Sequence, residues 1–171
     1  MHRELSGRIQ ILCTYHQCGY SKIMNLRYNK WKEAAQQQLT REWWDESRPY
    51  FLLYVSEAVL DECRSEDQEL AQRRMSVITE LPILRITNEV IKLAETYAQI
   101  LEIPERAKVD AIHLSVAVTY EVDYLLTWNC KHLAHGGVRT KLHRYNRINE
   151  LHEPMIVTPL ELMGGTDHEM E

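Results

Sequence analysis

Short apolar runs alternate along this chain with longer stretches of helical period. Ile9-Gln-Ile-Leu12, Phe51-Leu-Leu-Tyr-Val55, Pro82-Ile-Leu-Arg-Ile86, Tyr124-Leu-Leu-Thr127 and Met155-Ile-Val157 each read as a short strand. Between Trp31 and Trp44, the residues Trp31, Ala34, Ala35, Leu39 and Trp43 fall roughly on one side of a helix, which Arg48-Pro49 ends. Ser56 has the chemistry of an N-cap for a helix anchored by Val59 and Leu60, where Glu57 and Asp61 read as solvated charges. Asp67 to Glu80 reads as a polar-faced helix. Asn88 caps a helix from Glu89 to Leu101. Pro104 opens the next one, where Ala111, Leu114, Ala117 and Val118 recur at helical spacing. Gly136-Gly137 leads into a helix ending near Leu151. Thr158-Pro159-Leu160-Glu161 has the pattern of a capping box with proline at the first helical position. Strands alternating with helices predict an α/β fold.

Polar residues of chemical interest gather between Val109 and Leu133. Asp110 sits early in its helix and His113 follows three residues on, on the same face. The strand ending at Thr127 runs into a polar turn, Trp128-Asn129. Ligands bind beyond strand ends in such sheets, so Asp110 and Asn129 converge on one site. Glu62 follows Val59 by three residues and lies on nearly the same side of its helix. Taken singly, each has an ordinary reading: a solvated charge, a hydrogen-bonded structural histidine, an asparagine capping its own turn.

With 171 residues, 44% of them apolar and 26% charged, the chain is most economically one globular domain. Net charge is -5, yet Tyr124 to Asn149 contains no Asp or Glu and carries Lys131, Arg139, Lys141, Arg144 and Arg147. That is a local basic strip, or else a solvated helix face. No apolar run approaches the length of a membrane span, and no leader-like apolar run follows Met1, so a cytoplasmic location is expected. Cys13, Cys18, Cys63 and Cys130 form no Cys-x-x-Cys pair and read as free thiols. Cys130, His132 and His135 lack a second ligand pair for zinc. A Gly-rich phosphate loop is absent, which argues against a nucleotide-dependent small-molecule enzyme.

Asp110-Ala111-Ile112-His113-Leu114, followed by Leu125-Leu126-Thr127-Trp128-Asn129, resembles the PIN-domain nucleases. Within that family it resembles in particular the VapC-type toxins of type II toxin–antitoxin systems. That family carries an Asp, an Ala-rich helix, and a strand ending in a Thr-x-Asn/Asp turn. The similarity runs from about Gln38 to about Gly164. It implies a three-layer α/β/α PIN-like fold with a central, mainly parallel sheet across residues 31–164. A divergent segment, 1–30, would precede it and an acidic tail, 165–171, would follow. The implied activity is metal-dependent endoribonuclease hydrolysis of RNA phosphodiesters. Glu62 and Asp110 would be catalytic and hold Mg²⁺ or Mn²⁺, with Asn129 a weaker neutral ligand and His113 and Thr127 in support. Such an ion, held by hard oxygen ligands, polarises the phosphodiester and activates water. Lys131, Arg139, Lys141, Arg144 and Arg147 would hold the RNA backbone. A small antitoxin protein would be the partner, a homodimer is compatible, and no membrane is involved.

The chain departs from the family pattern at its start. The family begins with a strand ending in an acid followed by a small polar residue. Here Ile9-Gln-Ile-Leu12 ends in Cys13-Thr14, and no Asp or Glu occurs between Glu4 and Glu33. The first ligand is therefore expected to be missing, since Mg²⁺ binds a thiol poorly. The alternative function is a catalytically impaired PIN-like module that binds an antitoxin or RNA. The loss of pattern before Lys32 reads as divergence or a reading-frame change, and predicts poor packing from Met1 to about Asn29.

Overall fold

The computed structural model describes residues 7–11, 26–64, 72, 75–76, 78–129, 133 and 135–163. Five strands, β1 (Gly7–Ile11), β2 (Phe51–Ser56), β3 (Ile83–Leu84), β4 (Tyr124–Leu126) and β5 (Met155–Val157), form one sheet ordered β3-β2-β1-β4-β5. Every neighbouring pair is parallel. The helices are α1 (Leu26–Glu42), α2 (Glu57–Arg64), α3 (Asn88–Ile100), α4 (Lys108–Thr119), α5 (Gly136–Ile148) and α6 (Pro159–Met163). This is an α/β fold, as the alternating pattern predicts, in the three-layer α/β/α arrangement with a parallel sheet that the resemblance implies.

Register sorts the side chains onto two faces. Ile9 pairs with Leu53 and Tyr124, and Gly7 with Phe51, so these residues share one face. Trp43 packs there, its ring centroid 6.3 Å from that of Phe51, and Phe51 in turn meets Tyr124 edge to face at 5.9 Å. The turn holding Trp43 contacts α6 and α1, which makes this the α1/α6 side. Gln10 pairs with Tyr54 and Leu125 and points to the opposite face, as does Ser56, two residues beyond Tyr54. That face is covered by α4, which packs on α3 and is buried nearly all round, from Asp110 through Val118. Gly7 has φ +148°, and a Cβ there would come within 2.9 Å of the Tyr124 ring, so only glycine starts β1 in this way.

A hydrogen-bonded brace ties α3 to α5. The Tyr97 hydroxyl donates to Asn146 Oδ1 at 2.6 Å, and Asn146 Nδ2 donates to the His152 carbonyl at 2.8 Å. Both residues are fully buried. Burial pushes the Tyr97 phenol well above its usual range, the Asn146 bond opposing only in part, so the hydroxyl remains a donor.

Several boundaries differ from the sequence pattern. The expected poor packing before Asn29 does not hold for β1: it is the central strand, and Ile9 and Gln10 have no exposed surface. α1 ends at Glu42 and passes through a π turn (Trp43–Ser47) and a 3-10 turn (Arg48–Tyr50) before β2, because Pro49 is accommodated at the start of the tighter turn. Ser56 is the last residue of β2 and caps nothing; α2 follows directly. Glu57 is not solvated: its carboxylate accepts from the Ile86 N–H at 2.7 Å. Thr87, not Asn88, caps α3, its hydroxyl accepting from Val90 N–H at 3.3 Å. The third strand shrinks to Ile83–Leu84. His135 caps α5, accepting from Gly137 N–H. The capping box at Thr158 forms, with Thr158 N–H donating to Glu161 at 2.7 Å. Most of the expected helix from Asp67 to Glu80 lies outside the described residues. Among the described residues, no helix is long and apolar enough to cross a membrane.

Candidate active site

The order in which strands are added reverses between β1 and β4. The chain builds outward from β1 through β2 to β3, then returns to the other side of β1 with β4. In open parallel sheets, the crevice beyond the strand C-termini at such a point is where ligands bind. Ser56 ends β2 and Thr127 follows β4, so both stand at that end of the sheet.

α4 supplies the two central groups. Asp110 lies in its first turn, where the helix N-terminus favours a carboxylate, and His113 is one turn on. Both are buried, at 7% and 2% exposure. Asp110 Oδ1 accepts from Asn129 Nδ2 at 3.0 Å, across 19 residues of chain. Asn129 is itself oriented by its backbone N–H, which donates to Thr127 Oγ1 at 3.0 Å. Thr127 thus supports Asn129, and Asn129 acts as a donor to Asp110 through its amide nitrogen.

His113 faces the other carboxylate. His113 Nε2 lies 3.2 Å from Glu62 Oε2, and His113 Nδ1 lies 3.5 Å from Ser56 Oγ. The resemblance suggested that His113 supports the Asp110 site. In the structure its hydrogen bond runs to Glu62, brought in by α2 from 51 residues away. Glu62 therefore reaches α4 at His113, one turn from Asp110. Ser, His and Glu here also occur in the order of a nucleophilic triad. Ser56, however, is fully buried in an interior strand, where its hydroxyl meets no substrate.

Two residues of this layer escape the sequence pattern. Ser56 looks like a helix cap because it stands between a strand and a helix. Gln10 lies on the α4 side of β1, fully buried, and its side-chain amide has no hydrogen-bond partner among the described residues. Its only sequence signal is a polar residue between Ile9 and Ile11. Cys13, Cys130, Lys131 and His132 lie outside the described residues. Among the described residues, no three His, Cys, Asp or Glu side chains form a metal-holding group.

The basic strip is less uniform in space than in sequence. Arg139 pairs with Glu161 at 3.3 Å and Lys141 with Glu102 at 3.1 Å. These acids come from α6 and from the end of α3, so the acid-free stretch acquires partners only on folding. Arg144 and Arg147 are exposed on α5 and make no ion pair with the described residues. A groove of about 270 Å³ between α5 and β5, bordered by Arg139, His143, Asn146, Glu153 and Met155, contains neither Asp110 nor Glu62 in its lining. His143 Nδ1 and the Glu153 carboxylate meet at its rim.

Comparison of the chain with protein-family models, curated proteins and solved structures finds no match.

Proposed function

We propose that this chain is a metal-dependent endoribonuclease of the PIN-domain, VapC-toxin type, which hydrolyses RNA phosphodiesters. The observation that supports this reading is the pairing of Asp110 with Asn129, and of Glu62 with His113, through one turn of α4 at the sheet's C-terminal end. Mg²⁺ commonly takes one or two protein carboxylates and completes its shell with water and substrate phosphate. Carboxylates are hard oxygen donors, a chemistry that suits Mg²⁺ or Mn²⁺ rather than zinc. Glu62 and Asp110 would hold the ion. Bound there, it supplies Lewis-acid polarisation of the phosphodiester and an activated water.

The chain's own residues do the positioning. Asn129 fixes one oxygen of Asp110, and Thr127 fixes Asn129. Arg144 and Arg147 hold the phosphate backbone without reading sequence. A small antitoxin protein is the proposed partner, and a homodimer is the proposed assembly. In a cleavage assay on RNA with Mg²⁺ or Mn²⁺, Asp110→Asn keeps shape, removes the charge and abolishes cleavage. Full activity in excess chelator, or in the variant, would refute the reading.

A second reading is favoured by one feature, the amide at Asn129 that occupies Asp110 Oδ1. In that reading the chain is a catalytically impaired module that binds RNA or an antitoxin. RNA binding with no cleavage at any Mg²⁺ or Mn²⁺ concentration would select it.

A further inference from the structure

Glu62 is a long side chain on a short helix, and its carboxylate would lose rotamer freedom on meeting an ion. The structure removes that freedom beforehand. Its side chain is 15% exposed and its Oε2 lies 3.2 Å from His113 Nε2. A carboxylate only accepts hydrogen bonds, so Nε2 carries the proton in this contact. In the neutral ring Nδ1 is then an acceptor, and the group facing it is the Ser56 hydroxyl at 3.5 Å. Ser56 lies in an interior strand and His113 in a helix buried nearly all round. With its proton on Nε2, the ring directs an N–H at Glu62 and presents Nδ1 to the Ser56 hydroxyl behind it. The other acid of α2 near this layer, Glu57, is engaged by the Ile86 N–H and does not compete for the ring.

We propose that His113 is a positioning residue, which, locked by Ser56, holds the Glu62 carboxylate in place for a divalent cation. The proposal rests on the metal-dependent reading above. It assigns Ser56 and His113 to the Glu62 side of the site, as Thr127 and Asn129 serve the Asp110 side. Each carboxylate thereby has a separate two-residue support.

The test is Mn²⁺ binding, measured by electron paramagnetic resonance on the intact protein without RNA, with thermal unfolding beside it. His113→Asn places its amide near the Nδ1 position and cannot reach Glu62. It is expected to weaken Mn²⁺ binding about 10- to 100-fold, the usual cost of losing such a support. His113→Gln can place an N–H near the Nε2 position and is expected to restore most of the affinity. Ser56→Ala should fall between. A His113→Asn protein that binds Mn²⁺ as tightly as the parent overturns the role of His113 and leaves the metal-dependent reading standing. A parent protein that binds no Mn²⁺ overturns both. Should His113→Asn fail to fold, the nitrogen-15 imidazole spectrum of the parent decides. A proton on Nε2 supports the string, and a proton on Nδ1 overturns it.

Discussion

Replacing Arg144 and Arg147 together by Gln separates the cations that can hold RNA from those already neutralised within the fold. On α5, Arg139 and Lys141 each face a carboxylate, Glu161 and Glu102, whereas Arg144 and Arg147 are exposed with no such partner among the described residues. Each phosphate contact on a single strand contributes about 0.7 to the slope of log affinity against log salt, so the double variant lowers the slope by about 1.4. Between about 50 and about 200 mM salt, that difference amounts to roughly sevenfold in affinity, lost by the parent and kept by the variant. Fluorescence anisotropy of a labelled single-stranded RNA, titrated across a salt series, measures it. Arg139→Gln with Lys141→Gln should lower affinity but change the slope less, because these two cations are offset by acids that remain. Exposed ion pairs are weak, worth about 0–1 kcal/mol, so Glu102→Gln should free Lys141 and steepen the slope. A slope unmoved by the Arg144/Arg147 change, or one flattened mainly by the Arg139/Lys141 change, would refute the reasoning.

Further outcomes follow from single contacts. Asn146→Leu leaves the Tyr97 hydroxyl and the His152 carbonyl without their partner, at about 1–3 kcal/mol each. For a loss near 3 kcal/mol the melting temperature should fall by roughly 6–12 °C, and adding Tyr97→Phe should recover part of it. Glu150 follows α5 with φ 54°, a left-handed conformation that strains a residue bearing Cβ, and its charge opposes the helix C-terminus. Glu150→Gly is therefore expected to stabilise by about 1 kcal/mol and raise the melting temperature by roughly 2–4 °C; a decrease would count against the strain. Partial burial works against the Glu161 charge, but the Thr158 N–H and hydroxyl and the Arg139 guanidinium outweigh it and hold the carboxyl below its usual value. A lowered folded-state value means the stabilisation is present above the unfolded carboxyl's pKa and lost as pH falls through the folded one. Glu161→Gln should thus lower the melting temperature at neutral pH and show a shallower decline on acidification; parallel curves would contradict this.

The local pattern was sufficient where an element is decided by its own residues. The apolar runs at Phe51, Tyr124 and Met155 become strands because their C-terminal apolar residues, Val55, Leu125, Leu126, Ile156 and Val157, are buried in the core. The capping box at Thr158 and Glu161 forms because both partners lie within one turn. Adjacent signals were less decisive: Ser56, Glu57 and Asn88 have cap-like or surface-like chemistry, and burial against distant elements gave the first two other partners.

The sequence by itself determined the alternation of strand and helix, and it placed Asp110, His113 and Asn129 within one short stretch. Only the tertiary structure decided which group meets which. His113 turns to Glu62 because α2 and α4 lie together on the same side of the sheet, closing a gap of 51 residues. Arg139 and Lys141 meet acids from α6 and the end of α3, which no reading of their own stretch contains. Periodicity is a property of neighbours along the chain, whereas hydrogen bonds and charge partners form between groups that packing alone makes neighbours.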